Sequence, residues 1–122
     1  MRNFRNLNVW IEAMKLVKEV YKLSDKLPVN EKYGLRSQTT RAAVSIPANI
    51  AEGCSRSSET DFKRFLEIAL GSAFELETHL LIIEDLLGIK YDFTSIKELL
   101  EKEQKMLNQF ISKIKIDKIA KN

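Results

Sequence analysis

At 122 residues, with 44% hydrophobic and 30% charged side chains, the chain has the size and composition of one folded domain, which excludes an intrinsically disordered polypeptide. One cysteine, Cys54, excludes an intrachain disulfide, and the longest strongly apolar run, Leu80 to Ile83, is far too short to cross a membrane. The net charge of +3 permits nucleic-acid binding without requiring it, and residues 58–91 carry −4 while the rest of the chain is basic.

With four glycines and two prolines, few turns are available, so long elements joined by short loops are expected. The first segment carries Val9, Ala13, Leu16, Val20, Leu23 and Leu27 at alternating spacings of four and three. Trp10, Met14, Val17 and Tyr21 widen this stripe, and Glu12, Lys15, Glu19, Lys22 and Lys26 are assigned to the opposite face. That is an amphipathic helix over about residues 8–27, with Asn8 as its cap and Pro28 as its stop. The second segment is expected to be helical from 31 to 53, capped by Asn30 and ended by Gly53. Its apolar residues include Ala42, Ala43, Ala48 and Ala51, with Leu35, Val44, Ile46 and Ile50.

In the third segment Ser58 followed by Asp61 marks a helix start, and Phe62, Phe65, Ala69, Ala73, Leu76, Leu80, Ile83 and Leu87 keep helical spacing until Gly88. The fourth begins with Ser95 and Glu98 in the same relation and runs to about residue 119 through Ile96, Leu99, Leu100, Met106, Leu107, Phe110, Ile111 and Ile114. No alternating strand pattern competes. The expected fold is all-α, a single domain over 1–122 folded as an antiparallel up-down-up-down four-helix bundle.

Within the second segment, "RAAVSIPANIAEG" (Arg41–Gly53) combines a polar row with a central proline. Arg41, Ser45, Asn49, Glu52 and Arg56 fall on one stripe, while Ala43, Pro47, Ile50 and Cys54 form a neighbouring one that Ala42, Ile46 and Ala48 extend. Pro47 has no N–H to offer the carbonyl of Ala43, which predicts a bend. A contact with a second subunit explains both features, with Ser45, Pro47, Asn49 and Glu52 as interface candidates.

Catalytic chemistry finds little to work with. A carboxylate-bridged di-iron bundle needs two Glu-x-x-His pairs, and the single histidine, His79, has glutamates at positions 75 and 77 instead. Glu75 and His79 share a helix face, as a surface or interfacial pair or as half of a metal site shared between subunits. Cys54 follows a predicted helix end, where the dipole raises a thiol pKa and disfavours a nucleophile. No cofactor is expected. The remaining candidates are basic: Arg36 and Arg41 on the second segment, and Arg56, Lys63 and Arg64 around the elbow before the third. They read either as phosphate contacts or as solubilising charge.

The stretch "YGLRSQTTRAAVSIPANIAEGCSRSSETDFKRFLEIALGSAFELETHL", with "LNVWIEAMKLVKEVYKLSDKLP" before it, resembles the four-helix-bundle proteins encoded in intervening sequences of bacterial 23S rRNA genes. That family includes the accessory variability protein of diversity-generating retroelements, a basic homopentamer that engages a reverse transcriptase and nucleic acid. The resemblance covers about residues 4–90. It implies a homo-oligomer, with five subunits expected, no enzymatic activity and no catalytic residues. It also implies partners among RNA or DNA and a reverse transcriptase or other nucleic-acid enzyme, with a pure protein–protein adaptor as the alternative. Relatives often show two arginines where this chain has Thr40-Arg41. No signal-peptide pattern is present in "MRNFRNLNVW", so a cytoplasmic protein without membrane contact is expected.

Overall fold

A computed structural model describes residues 2–31 and 33–114. Among these residues there are four α-helices and no strand: α1 (Asn8–Ser24), α2 (Leu35–Cys54), α3 (Glu59–Leu86) and α4 (Thr94–Lys113), with short 3-10 turns at Phe4–Asn6 and Val29–Glu31. Helix α1 packs on α2 and α4, and α3 packs on the same two helices. The side chains meeting in the middle are the apolar rows of the sequence, with Leu16, Leu23, Ile46, Ile50, Phe62, Leu66, Leu76, Leu80, Ile83, Ile96 and Leu107 all sealed from solvent.

Contacts at the helix ends show which termini lie together. Arg36 at the start of α2 pairs with Asp25, just past the end of α1, at 3.0 Å. Phe62 at the start of α3 meets Phe110 near the end of α4 edge to face, with ring centroids 5.4 Å apart. Lys97 in the first turn of α4 pairs with Glu84 near the end of α3.

Several boundaries differ from the expected ones, each for a local reason. Asn8 is the first residue of α1, not its cap; Leu7 holds the cap position and offers no side-chain acceptor. The helix ends at Ser24, and the chain tightens through bonds from Lys26 N–H to Leu23 and from Leu27 N–H to Ser24 before Pro28. Asn30 does not cap α2, because it lies in the 3-10 turn at Val29–Glu31 and Gly34 (φ −100°, ψ −107°) leads into a helix that begins at Leu35. Ser58 does cap α3, accepting from Asp61 N–H at 3.1 Å. Gly88 takes φ +59° just past that helix, the left-handed geometry that favours glycine at a C-terminus.

Ser95 does not cap α4. Asp92 Oδ1 accepts from Thr94 N–H at 3.0 Å, and the helix starts one residue earlier. That bond lowers the Asp92 pKa. At the far end Ile114 is already extended, and the expected continuation over 115–119 lies outside the described residues.

Gly53 does not stop α2. The helix passes through it to Cys54, and a Cβ at Gly53 would lie 2.7 Å from Phe65 Cβ and 3.2 Å from Phe62 Cδ1. The missing side chain is what lets α2 and α3 approach closely at the elbow. Pro47 lies inside α2 and is buried within the protomer. Ala48, placed by its spacing on the packing surface, is exposed.

Candidate nucleic-acid and assembly surfaces

The five basic candidates do not form one cluster. Arg56, Lys63 and Arg64 gather at the elbow between α2 and α3. Arg36 lies at the opposite end of α2, on Asp25. Arg41 lies between, thirteen residues before the end of α2 at Cys54 and so about 20 Å along the axis from the elbow. It lines a shallow depression with Ala42, Ser45 and Glu75.

At the elbow, Phe65 serves as a platform. The guanidinium carbons of Arg56 and Arg64 stand 4.8 and 5.1 Å from its ring centroid. Arg56 also reaches back one turn to Glu52, Nη2 to Oε2 at 3.2 Å. Lys63 and Arg64 have no carboxylate partner among the described residues. The N-terminal segment adds two arginines that sequence reasoning did not select. Arg2 donates to both carboxylate oxygens of Glu59, at 2.7 and 2.9 Å, and stacks over Phe62 at 4.1 Å. This fork holds the Glu59 carboxyl below the usual carboxylate range. Arg5 stacks on Phe4 in the adjoining turn. No linear signal marks residues 2–5 as neighbours of 56–64; only the docking of the segment, with Arg2 N–H on the Cys54 carbonyl at 3.3 Å, makes them so.

The polar row of α2 finds partners within the protomer. Ser45 and Ser72 share a hydrogen bond at 2.8 Å across α2 and α3. Asn49 Nδ2 donates to Ser45 Oγ at 2.9 Å and to the Ser45 carbonyl at 2.8 Å. Glu52 holds Arg56. Of the four interface candidates, Pro47 is therefore buried, Ser45 and Asn49 are half-buried and satisfied, and Glu52 is exposed.

The larger unpartnered surface belongs to α3. Ile68, Phe74, Leu81, Ile82 and Leu86 all face outward, with Phe74 half exposed and Leu86 75% exposed. Exposed Glu75 and Thr78 lie among them on the same helix.

The catalytic candidates recede. Cys54 is buried and burial pushes its thiol pKa up, so little thiolate is available as a nucleophile. His79 is 8% exposed, with Nε2 3.8 Å from Glu75 Oε2 and Nδ1 without a partner. Among the described residues no group of three or more potential ligands is placed to hold a metal ion.

Two carboxylates escaped the sequence reading. Glu12 is buried at the seam of α1 and α4, between Lys15 (2.8 Å) and Lys102 (3.2 Å), instead of on the outer face of α1. These lysines, Lys15 foremost, lower its pKa against the opposing effect of burial. Glu103 has no exposed surface at all, and neither carboxylate oxygen has a partner. Spacing held the signal for both: Glu103 follows Leu100 by three and precedes Leu107 by four, and Glu12 stands likewise between Val9 and Leu16.

The family of 23S rRNA-intervening sequence proteins matches the chain over residues 5–109. The chain belongs to that family. A crystal structure of a protein with unknown function from the S23 ribosomal protein family of Bacteroides thetaiotaomicron VPI-5482 is similar to it at 28% identity and a TM-score of 0.74. The similarity covers 85% of this chain and 95% of that one. Comparison with curated proteins finds no match. Among the described residues no helix is long and apolar enough to cross a membrane.

Proposed function

We propose that this intervening-sequence family member is a non-enzymatic, cytoplasmic homo-oligomer that binds nucleic acid through the elbow end of its bundle. The observation that carries the reading is the pair Lys63 and Arg64, free of carboxylates, with the guanidinium groups of Arg56 and Arg64 both over the Phe65 ring. Such groups suit phosphate, and a stacked guanidinium keeps its donors in a fixed plane. The helix-end contacts support an up-down-up-down chain path, and the missing N–H of Pro47 supports a bend in α2.

Fluorescence anisotropy with a structured RNA and a duplex DNA tests the binding. Affinity for duplex DNA is expected to fall with salt by about 0.9 log units per log unit of salt for each phosphate neutralised. Combining Lys63→Ala with Arg64→Ala should make that slope shallower by up to about 2. Arg36→Ala, at the other end of the bundle, should leave it unchanged. No binding at low salt would overturn the reading.

The homo-oligomer is supported by the outward apolar face of α3, with the neighbouring surface of α2, Val44 and Ala48 included, as its continuation. Five subunits are proposed from the family resemblance. Light scattering on the purified protein should give a closed oligomer, and Phe74→Asp with Ile82→Asp should yield folded single chains. A wild-type mass equal to one chain would sink the assembly, and a stable mass other than five chains would sink the pentamer.

The same face supports a second reading, an adaptor that docks a polymerase or reverse transcriptase without touching nucleic acid. Capture of one such enzyme that survives nuclease treatment, together with flat anisotropy curves, would favour it.

A further inference from the structure

The buried face of α4 is short. Ile96, Leu100, Glu103 and Leu107 are its only fully buried residues, so one of the four anchors is a carboxyl group. Helix α4 packs on α1 and α3. We propose that α4 is a proton-latched helix: with Glu103 protonated it stays docked, and loss of that proton releases α4 ahead of the other three helices.

The geometry demands the neutral form. Glu103 is fully enclosed and neither oxygen meets a donor. A carboxylate there would be a buried charge with no compensation, one of the least favourable arrangements in a protein interior. The charged groups on the elements around it do not rescue it. On α1, Glu12 adds repulsion, and its two lysine partners, Lys15 and Lys102 of α4, are engaged by Glu12 itself. On α3, Glu77 is another acid, held by Gln104 at 2.9 Å. The buried face of α2 contains no charged residue. Burial first and Glu12 second push the Glu103 pKa up to about 8. Undocking α4 wets the carboxyl and returns it toward its ordinary value.

The sign follows by linkage. Between the ordinary value of 4.5 and about 8, the docked state holds a proton that the open state gives up. Docking is therefore strongest below that window, weakens as pH rises through it, and levels off above pH 8. Near neutrality the latch lies within its working range. Release of α4 uncovers the apolar rows of α1 and α3 against which it packs, a groove shaped for a helix.

Hydrogen exchange of the full chain at pH 5.5 to 9, corrected for intrinsic rates, tests the latch. Amides of α4 should be at least about tenfold less protected than the slowest amides of α1 to α3, marking a separate opening. Their protection should fall by up to about tenfold per pH unit up to pH 8 and then flatten. Glu103→Gln, neutral at every pH, should remove the slope, and Glu103→Leu should do so with higher protection throughout. Equal protection in all four helices would overturn the proposal, since α4 would then open only with the whole molecule. So would a slope that persists in Glu103→Gln.

Discussion

Glu103→Leu is expected to stabilise the protein by about 3 kcal/mol at pH 7, from 2.5 units of pH above the ordinary carboxylate value at 1.36 kcal/mol each. For a domain of this size, that raises the thermal midpoint by on the order of 10 °C. Leucine matches glutamate in length closely enough to fill the same space between Leu100 and Leu107. It removes a carboxyl that must either hold its proton or stand buried without a partner.

The gain depends on pH in a definite direction. It is small near pH 4.5, where the glutamate is protonated folded or unfolded, and grows to its maximum at about pH 8. In acid the other carboxylates dominate. Glu12, Glu59 and Asp92 have lowered pKa values in the fold, so their stabilisation disappears as pH falls below the ordinary carboxylate range. The wild type should therefore be most stable near pH 5, an acid-shifted optimum that urea titrations at four or five pH values would reveal. If Glu103→Leu proves no more stable than wild type at pH 8, the carboxyl is satisfied in the native state and its burial costs nothing.

Gly53→Val should destabilise by about 3 kcal/mol or more. The added Cβ would enter the space that Phe65 Cβ occupies, 2.7 Å away, and the two methyl groups would press on Phe62. Neither neighbour can yield easily. The near atom of Phe65 is its own Cβ, fixed to the α3 backbone, and Phe62 is buried in contact with both Arg2 and Phe110. Gly53→Ala meets the same first contact, and alanine's helix preference of about 1 kcal/mol over glycine offsets only part of it. Denaturant midpoints of the two variants against wild type decide the matter. A stabilised Gly53→Ala would show that glycine is there for another reason than close approach. The same substitutions should disturb the elbow on which Arg56 and Arg64 are mounted, so nucleic-acid affinity should fall with stability.

Local spacing carried the helices well. The rows of Val9 to Leu23, Phe62 to Ile83 and Ile96 to Leu107 each specify one buried face, and α-helical periodicity leaves no alternative reading. Ser58 was legible as a cap because its partner lies three residues on. Asn8, Asn30 and Ser95 were not: Asn8 is already the first residue of α1, Asn30 lies in a 3-10 turn ahead of Gly34, and Asp92 supplies the acceptor where α4 begins. The family was legible in the stretch from Tyr33 to Leu80. It is among the longest-range information a sequence holds, since it is matched as a whole over residues 5–109.

The candidate site was legible only in part. Arg56, Lys63 and Arg64 are close in the chain and close in space. Arg36 and Arg41 lie on α2, whose length separates them from Arg56 just past its end. Arg2 and Arg5 come from the far end of the sequence and arrive there because the first residues dock on Cys54 and Glu59.

What the sequence determined by itself is whatever depends on neighbours within a turn or two: which residues are helical and which face each helix buries. Only the tertiary structure decided the rest. It paired Ser45 with Ser72 across α2 and α3, turned Gly53 from an expected stop into a helix–helix contact, and left Glu103 sealed without a donor. The reason is that charge, hydrogen bonding and close approach are set by what lies opposite a side chain. In a bundle the opposite residue belongs to a different helix, at a distance along the chain that periodicity does not encode.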